Sequence, residues 1–72
     1  MAKVEMTDTF AGETNYSWVN RFEFNHEGMS DLAIVRKAKA LAGWNGLKCK
    51  REVLGETIKL TPYGICQVMF ID

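Results

Sequence analysis

"SDLAIVRKAKALAG", Ser30 to Gly43, decides the fold. Ile34, Val35, Ala38, Leu41 and Ala42 recur at helical spacing and share one side of a helical wheel. Ser30 stands where its hydroxyl can accept from an amide one turn on. Asp31 suits the positive end of such a helix, and Lys37 and Lys39 suit the negative end. Gly43 follows as the residue able to take φ > 0 without a Cβ clash. The spacing predicts one amphipathic helix from about Asp31 to Ala42.

On both sides of this helix the period changes to two. Before it, Val4 and Met6 alternate with Lys3, Glu5 and Thr7, which predicts a half-buried strand. "FAGETN", Phe10–Asn15, reads as a long polar loop. "YSWVNRFEF", Tyr16–Phe24, alternates again, with Tyr16, Trp18, Phe22 and Phe24 on one face. Asn20 interrupts that face, so a bulge is expected there. After the helix, "GWNG" connects to a strand in which Leu47, Cys49 and Val53 alternate. "LGE" is a tight turn at Gly55, "TIKL" a strand with Ile58 and Leu60 inward, and "TPYG" a turn. In "ICQVMFID", Cys66, Val68 and Phe70 form one row and Ile65, Met69 and Ile71 the other, which predicts a central strand or an edge that meets a partner. The expected fold class is α+β, one domain over residues 1–72 in the order β-β-α-β-β-β. A curved antiparallel sheet would carry the helix on one face.

Composition bounds the function. Seventy-two residues, 47% hydrophobic and 25% charged, describe one small globular domain. A chain of this length buries only about 60% of the surface its unfolded form exposes. There is no apolar run long enough to span a bilayer and no secretory pattern at the start, which points to the cytosol. Cys49 and Cys66 are too few for a disulfide framework and are read as buried, reduced thiols. One strand would separate them by roughly 9–10 Å, beyond the ~7 Å reach of a disulfide.

Charge is unevenly spread. Residues 1–31 carry Lys3 and Arg21 against six acids, a net −4. Residues 32–51 carry Arg36, Lys37, Lys39, Lys48, Lys50 and Arg51 and no acid, a net +6. Residues 52–72 return −2, so the chain is neutral but dipolar. Arg36 points outward on the wheel, with Lys37 and Lys39 flanking the apolar stripe. Lys48 and Lys50 point away from the Cys49 row, to the other side of the sheet. A nucleic-acid footprint needs its cations on one face, whereas a dipolar surface steers and selects protein partners.

No catalytic constellation is evident. His26 is the single histidine, is expected to be exposed, and lies away from both thiols, so no Cys/His pair is expected. Neither a metal site nor a cofactor site is expected, and "GWNG" is no phosphate loop. Trp44 lies outside every periodic pattern: it either folds back on the helix end or stands as an exposed anchor, and tryptophan is enriched in binding hot spots. Tyr63, at a turn tip beside Pro62, is the second aromatic candidate. Partner-binding residues are therefore Trp44, Arg36, Lys37, Lys39, Lys48, Lys50, Arg51 and Tyr63. An apolar outer row of Ile65, Met69 and Ile71 would support a homodimer.

"GETNYSWVNRFEF" and "RKAKALAGWNGLKCKRE" with "YGICQVMFID" resemble small uncharacterised proteins of bacteriophages and other mobile elements. The resemblance implies a bacterial host cytoplasm and a function by binding. Its expected targets are host protein or ribonucleoprotein complexes, as for anti-CRISPR-type inhibitors. The alternative is a small nucleic-acid-binding regulator using the basic 36–51 segment.

Overall fold

A computed structural model describes all residues, Met1–Asp72. The elements run β1 (Ala2–Phe10), β2 (Glu13–Phe24), α1 (Asp31–Leu41), β3 (Cys49–Leu54), β4 (Thr57–Pro62) and β5 (Gln67–Ile71). The strands form one open antiparallel sheet in the order β2-β1-β5-β4-β3. The protein is α+β. The last strand is therefore the centre of the sheet, which explains why it is apolar on both rows. β2 and β3 are the free edges.

Ser30 caps α1, its hydroxyl accepting from Ala33 N at 3.2 Å. At the other end Gly43 has φ 76°; its amide donates to Ala40 O and that of Trp44 donates to Lys39 O. These two bonds satisfy carbonyls the helix would leave open, and they turn the chain back over the sheet. Ile34, Val35 and Ala38 are buried against one side of the sheet. That side supplies Ala2, Val4 and Met6 of β1, Phe24 of β2, Ile58 and Leu60 of β4, and Met69 and Ile71 of β5. Val4 stands opposite both Phe22 and Ile71, and Met6 opposite Met69. The helix and three inner strands thus share one core.

The opposite side of the sheet is open. Cross-strand partners there are Lys3 and Glu23, Glu5 and Arg21, Lys59 and Glu52. Arg21 bonds Glu5 at 3.1 Å, and Lys59 lies 6.0 Å from the Phe70 ring centre. Thr7 and Val68 are buried on this side as a small second strip.

Several expectations fail for definite reasons. The first hairpin has no long loop: Phe10 pairs with Glu13, and Ala11 and Gly12 turn the chain with φ 53° and 81°. Two residues at φ > 0 match the twist of the flanking strands. The bulge is not at Asn20. It lies where Asp8 of β1 opposes four residues of β2, Asn15–Trp18. Tyr16 and Trp18 are exposed as a result, so only Phe22 and Phe24 of the aromatic row reach the core. Leu41 faces solvent, because α1 turns it beyond the sheet, and so does Val53 near the end of edge strand β3. β4 continues through Pro62, so its turn begins at Tyr63, two residues later than the sequence signals. Cys66 is exposed in that turn, and Cys49 is half-buried; both are free. Met69 and Ile71 belong to the core under α1, which removes the outer row offered for a homodimer; only Ile65 is partly exposed.

Candidate partner-binding surface

α1 and β3 carry the cationic candidates. On α1 the buried stripe leaves Arg36 and Lys37 exposed and Lys39 half-exposed. The Lys39 charge is near enough to act on the Cys49 thiol at the start of β3. Burial pushes that thiol above its ordinary value, and the Lys39 ammonium partly offsets the rise. Arg51 stands opposite Leu60 of the core, so it shares the helix side of β3 with Cys49 two residues earlier. Same-face neighbours along a strand are about 7 Å apart. Arg51 thus lies on the helix side of β3, one same-face step from Cys49, the thiol on which the Lys39 charge acts.

Lys50 stands opposite Thr61 on the open side and lies 3.9 Å from Glu52. Lys48 is exposed just before β3, where its carbonyl accepts from Tyr63 N at 3.0 Å. That bond sets the exposed Tyr63 beside Lys48. Of the six cations in residues 36–51, only Lys50 has a carboxylate within 4.0 Å. The other five are uncompensated. Arg36, Lys37, Lys39 and Arg51 lie on the helix side of the sheet, with Lys37 and Lys39 on opposite flanks of α1.

Trp44 is not part of this surface. It is 5% exposed, and its ring belongs to the core. The exposed-anchor reading is therefore corrected, and the connector's aromatic is the lid on the helix end.

Sequence reasoning missed a second exposed group, the bulge of the first hairpin. The Asp8 carboxylate accepts from Asn15 Nδ2 at 2.9 Å, Ser17 N at 2.9 Å and Ser17 Oγ at 2.6 Å. Thr7 Oγ1 donates to the Trp18 carbonyl at 2.7 Å. These bonds hold Tyr16 at φ 56°, an unfavourable value for an aromatic residue. The hydrogen bonds from Ser17 and Asn15 hold the Asp8 carboxyl well below the usual carboxylate range. The only sequence signal was the polar run Glu13–Asn15 and Ser17, which cannot show which carboxylate it serves.

His26 is half-buried rather than exposed, and its Nδ1 is buried without a hydrogen-bond partner. It lines a cavity of about 190 Å³ with Asp31, Glu56 and Asp72 at one end of the sheet. Cys66 lies at the other end, its carbonyl accepting from Thr9 N. No cluster of three or more His, Cys, Asp or Glu side chains could hold a metal ion. No helix is long and apolar enough to cross a membrane.

The chain is thus a small α+β protein with one helix on an open five-stranded sheet and a cationic helix–edge surface. No family model, curated protein or solved structure matches it.

Proposed function

We propose that this is a non-catalytic accessory protein that binds an acidic surface of a larger complex through the cations of α1 and β3. The single observation that carries the reading is that five of those six cations lack a carboxylate neighbour. Uncompensated charge on one side accelerates encounter and discriminates between partners. The phage-type setting, the bacterial cytoplasm and a host defence complex as target come from the resemblance of the two quoted stretches alone.

One observation favours the second reading, a nucleic-acid-binding regulator. Arg51 joins Arg36, Lys37 and Lys39 on the helix side of the sheet, so that side carries four cations, with Lys37 and Lys39 on opposite flanks of α1. Four phosphate contacts would give binding that weakens steeply with salt.

The test compares the wild type with an Arg36→Glu, Lys39→Glu, Arg51→Glu variant as bait in a bacterial lysate, with and without nuclease. The reading expects a specific protein complex captured by the wild type, lost with the variant and retained after nuclease. Loss on nuclease treatment, together with direct salt-sensitive binding to bulk DNA or RNA, transfers the function to the second reading. Equal capture by both baits overturns recognition by charge.

A further inference from the structure

We infer that the free edge of β2 is a homodimer interface, in which two copies pair Asn20–Phe24 antiparallel about a two-fold axis at Phe22. The backbone first fixes which residues can take part. Lys3 and Asp72 exchange amide–carbonyl bonds at 2.9 and 2.8 Å, so Lys3 spends its backbone groups on the strand next to β1 on its inner side. Bonding direction alternates along a strand, so Val4 bonds toward β2 and its partner Phe22 bonds back. Arg21 and Glu23 then point their backbone groups outward, at the unpaired edge.

Charge selects the register. An axis at Arg21 would oppose that residue to its own copy, and an axis at Glu23 would do the same for the acid. An axis at Phe22 opposes Arg21 to Glu23 of the second copy, twice. Within each chain Lys3 already faces Glu23, and Glu5 faces Arg21. The paired sheet would therefore read Lys3, Glu23, then Arg21 and Glu5 of the second copy, alternating in sign across four strands. Opposite charges placed directly across strands are stabilising, and like charges are destabilising. On the helix side half-buried Phe22 would meet its own copy and extend the row it begins with Val4.

The remaining edge positions are closed to this pairing. The bulge at Asn15–Trp18, with Tyr16 at φ 56°, ends the regular edge above Val19. On β3, two-fold axes at Lys50, Arg51 or Glu52 each set a like-charged pair on the axis, and an axis at Val53 leaves only Glu52–Leu54 to pair before the strand ends. A dimer joined at β2 leaves the cationic surfaces at its two outer ends, so this inference stands apart from the proposed function.

Sedimentation equilibrium of the full chain tests it, up to about 1 mM to cover the weak range of a small interface. The wild type is expected to approach twice the 8.2 kDa chain mass. Arg21→Glu and Glu23→Lys should each be monomeric alone. Mixed in equal amounts they should form a heterodimer, because both pairs opposed across the interface then differ in sign. In the wild type, hydrogen exchange at the Arg21 and Glu23 amides should slow roughly 10-fold or more as concentration rises into the dimer range. That measurement decides the matter even if a variant does not fold. A wild type that stays monomeric overturns the inference, and so does a dimer whose Arg21 and Glu23 amides remain unprotected.

Discussion

The two tryptophans occupy opposite environments. Trp44, in a four-residue connector with no periodic pattern, is 5% exposed, whereas Trp18, in the strongest alternating run of the chain, is 40% exposed. The difference lies in the backbone on either side. Around Trp44, the left-handed Gly43 and the two bonds to Ala40 O and Lys39 O return the chain over the core. Around Trp18, four residues of β2 oppose one of β1, so Thr14 and Val19, five positions apart, end up on the same face. Strict alternation would have put them on opposite faces. One region is held by packing and the other by side-chain hydrogen bonds around a strained turn.

Substitution of each tryptophan by alanine gives the largest contrast. Trp44→Ala should cost about 3–5 kcal/mol, the usual price of deleting a large buried aromatic. A 72-residue domain holds roughly 4–11 kcal/mol in all, so the variant should melt far below the wild type or be largely unfolded at room temperature. Trp18→Ala should cost clearly less, about 1–2 kcal/mol, because 40% of the residue already faces solvent. Thermal melts followed by far-UV circular dichroism check both. Equal losses would mean that Trp18 is seated in a core, and the two regions would no longer differ.

Much of this was legible in the sequence, and the exceptions share a cause. The helix was readable because its signals are local: Ser30, Asp31, the Ile34–Val35–Ala38 stripe and Gly43 act within a few residues of one another. Inner strands were readable where alternation is unbroken, as at Val4 and Met6 or Ile58 and Leu60. What failed depended on a second strand. Bulge position is set by the Asp8 carboxylate, which is distant in sequence from the amides it accepts. The apolar residues on both rows of β5 do suggest a central strand, but nothing local says which row lies under the helix, so Met69 and Ile71 read as the outer one. Of the candidate site, the exposure of the cations followed from their types, while the siting of Arg51 with the helix required the β3–β4 register.

The strained region can be improved where the packed one can only be damaged. Ala11 holds φ 53° in a two-residue turn before Gly12. An L-residue other than glycine, asparagine or aspartate pays about 1–2 kcal/mol for that conformation. Asparagine before glycine is the favoured pair for this turn. Ala11→Asn should therefore stabilise the protein by roughly 1 kcal/mol, raising the melting temperature by about 4–8 °C. A melting temperature that is unchanged or lowered would show that the turn carries no such strain.

The smallest global effect, and the most local, belongs to Asp8. Its folded value is depressed below the ordinary 3.8, with the Ser17 and Asn15 hydrogen bonds as the main causes. A depressed acid contributes stability that is fully present above its unfolded value and is lost as pH falls toward its folded value. Acidification from neutral pH to about 5 should therefore leave the hairpin intact, and loosening should begin only below the ordinary aspartate range. Because Asp8 is half-buried beside the edge strand β2 and its partners are exposed, the loss should appear at the bulge before it appears in the whole molecule. Amide exchange at Ser17 and the emission of exposed Trp18 should change first, while the core around Leu60 and Met69 stays protected. Asp8→Asn should reproduce the loosening at neutral pH, since one carbonyl oxygen cannot replace two acceptors that serve Asn15, Ser17 N and Ser17 Oγ together. If the bulge and the core lost protection at the same pH, the two regions would be one cooperative unit. The contrast between the tryptophans would then describe burial alone rather than separate modes of stabilisation.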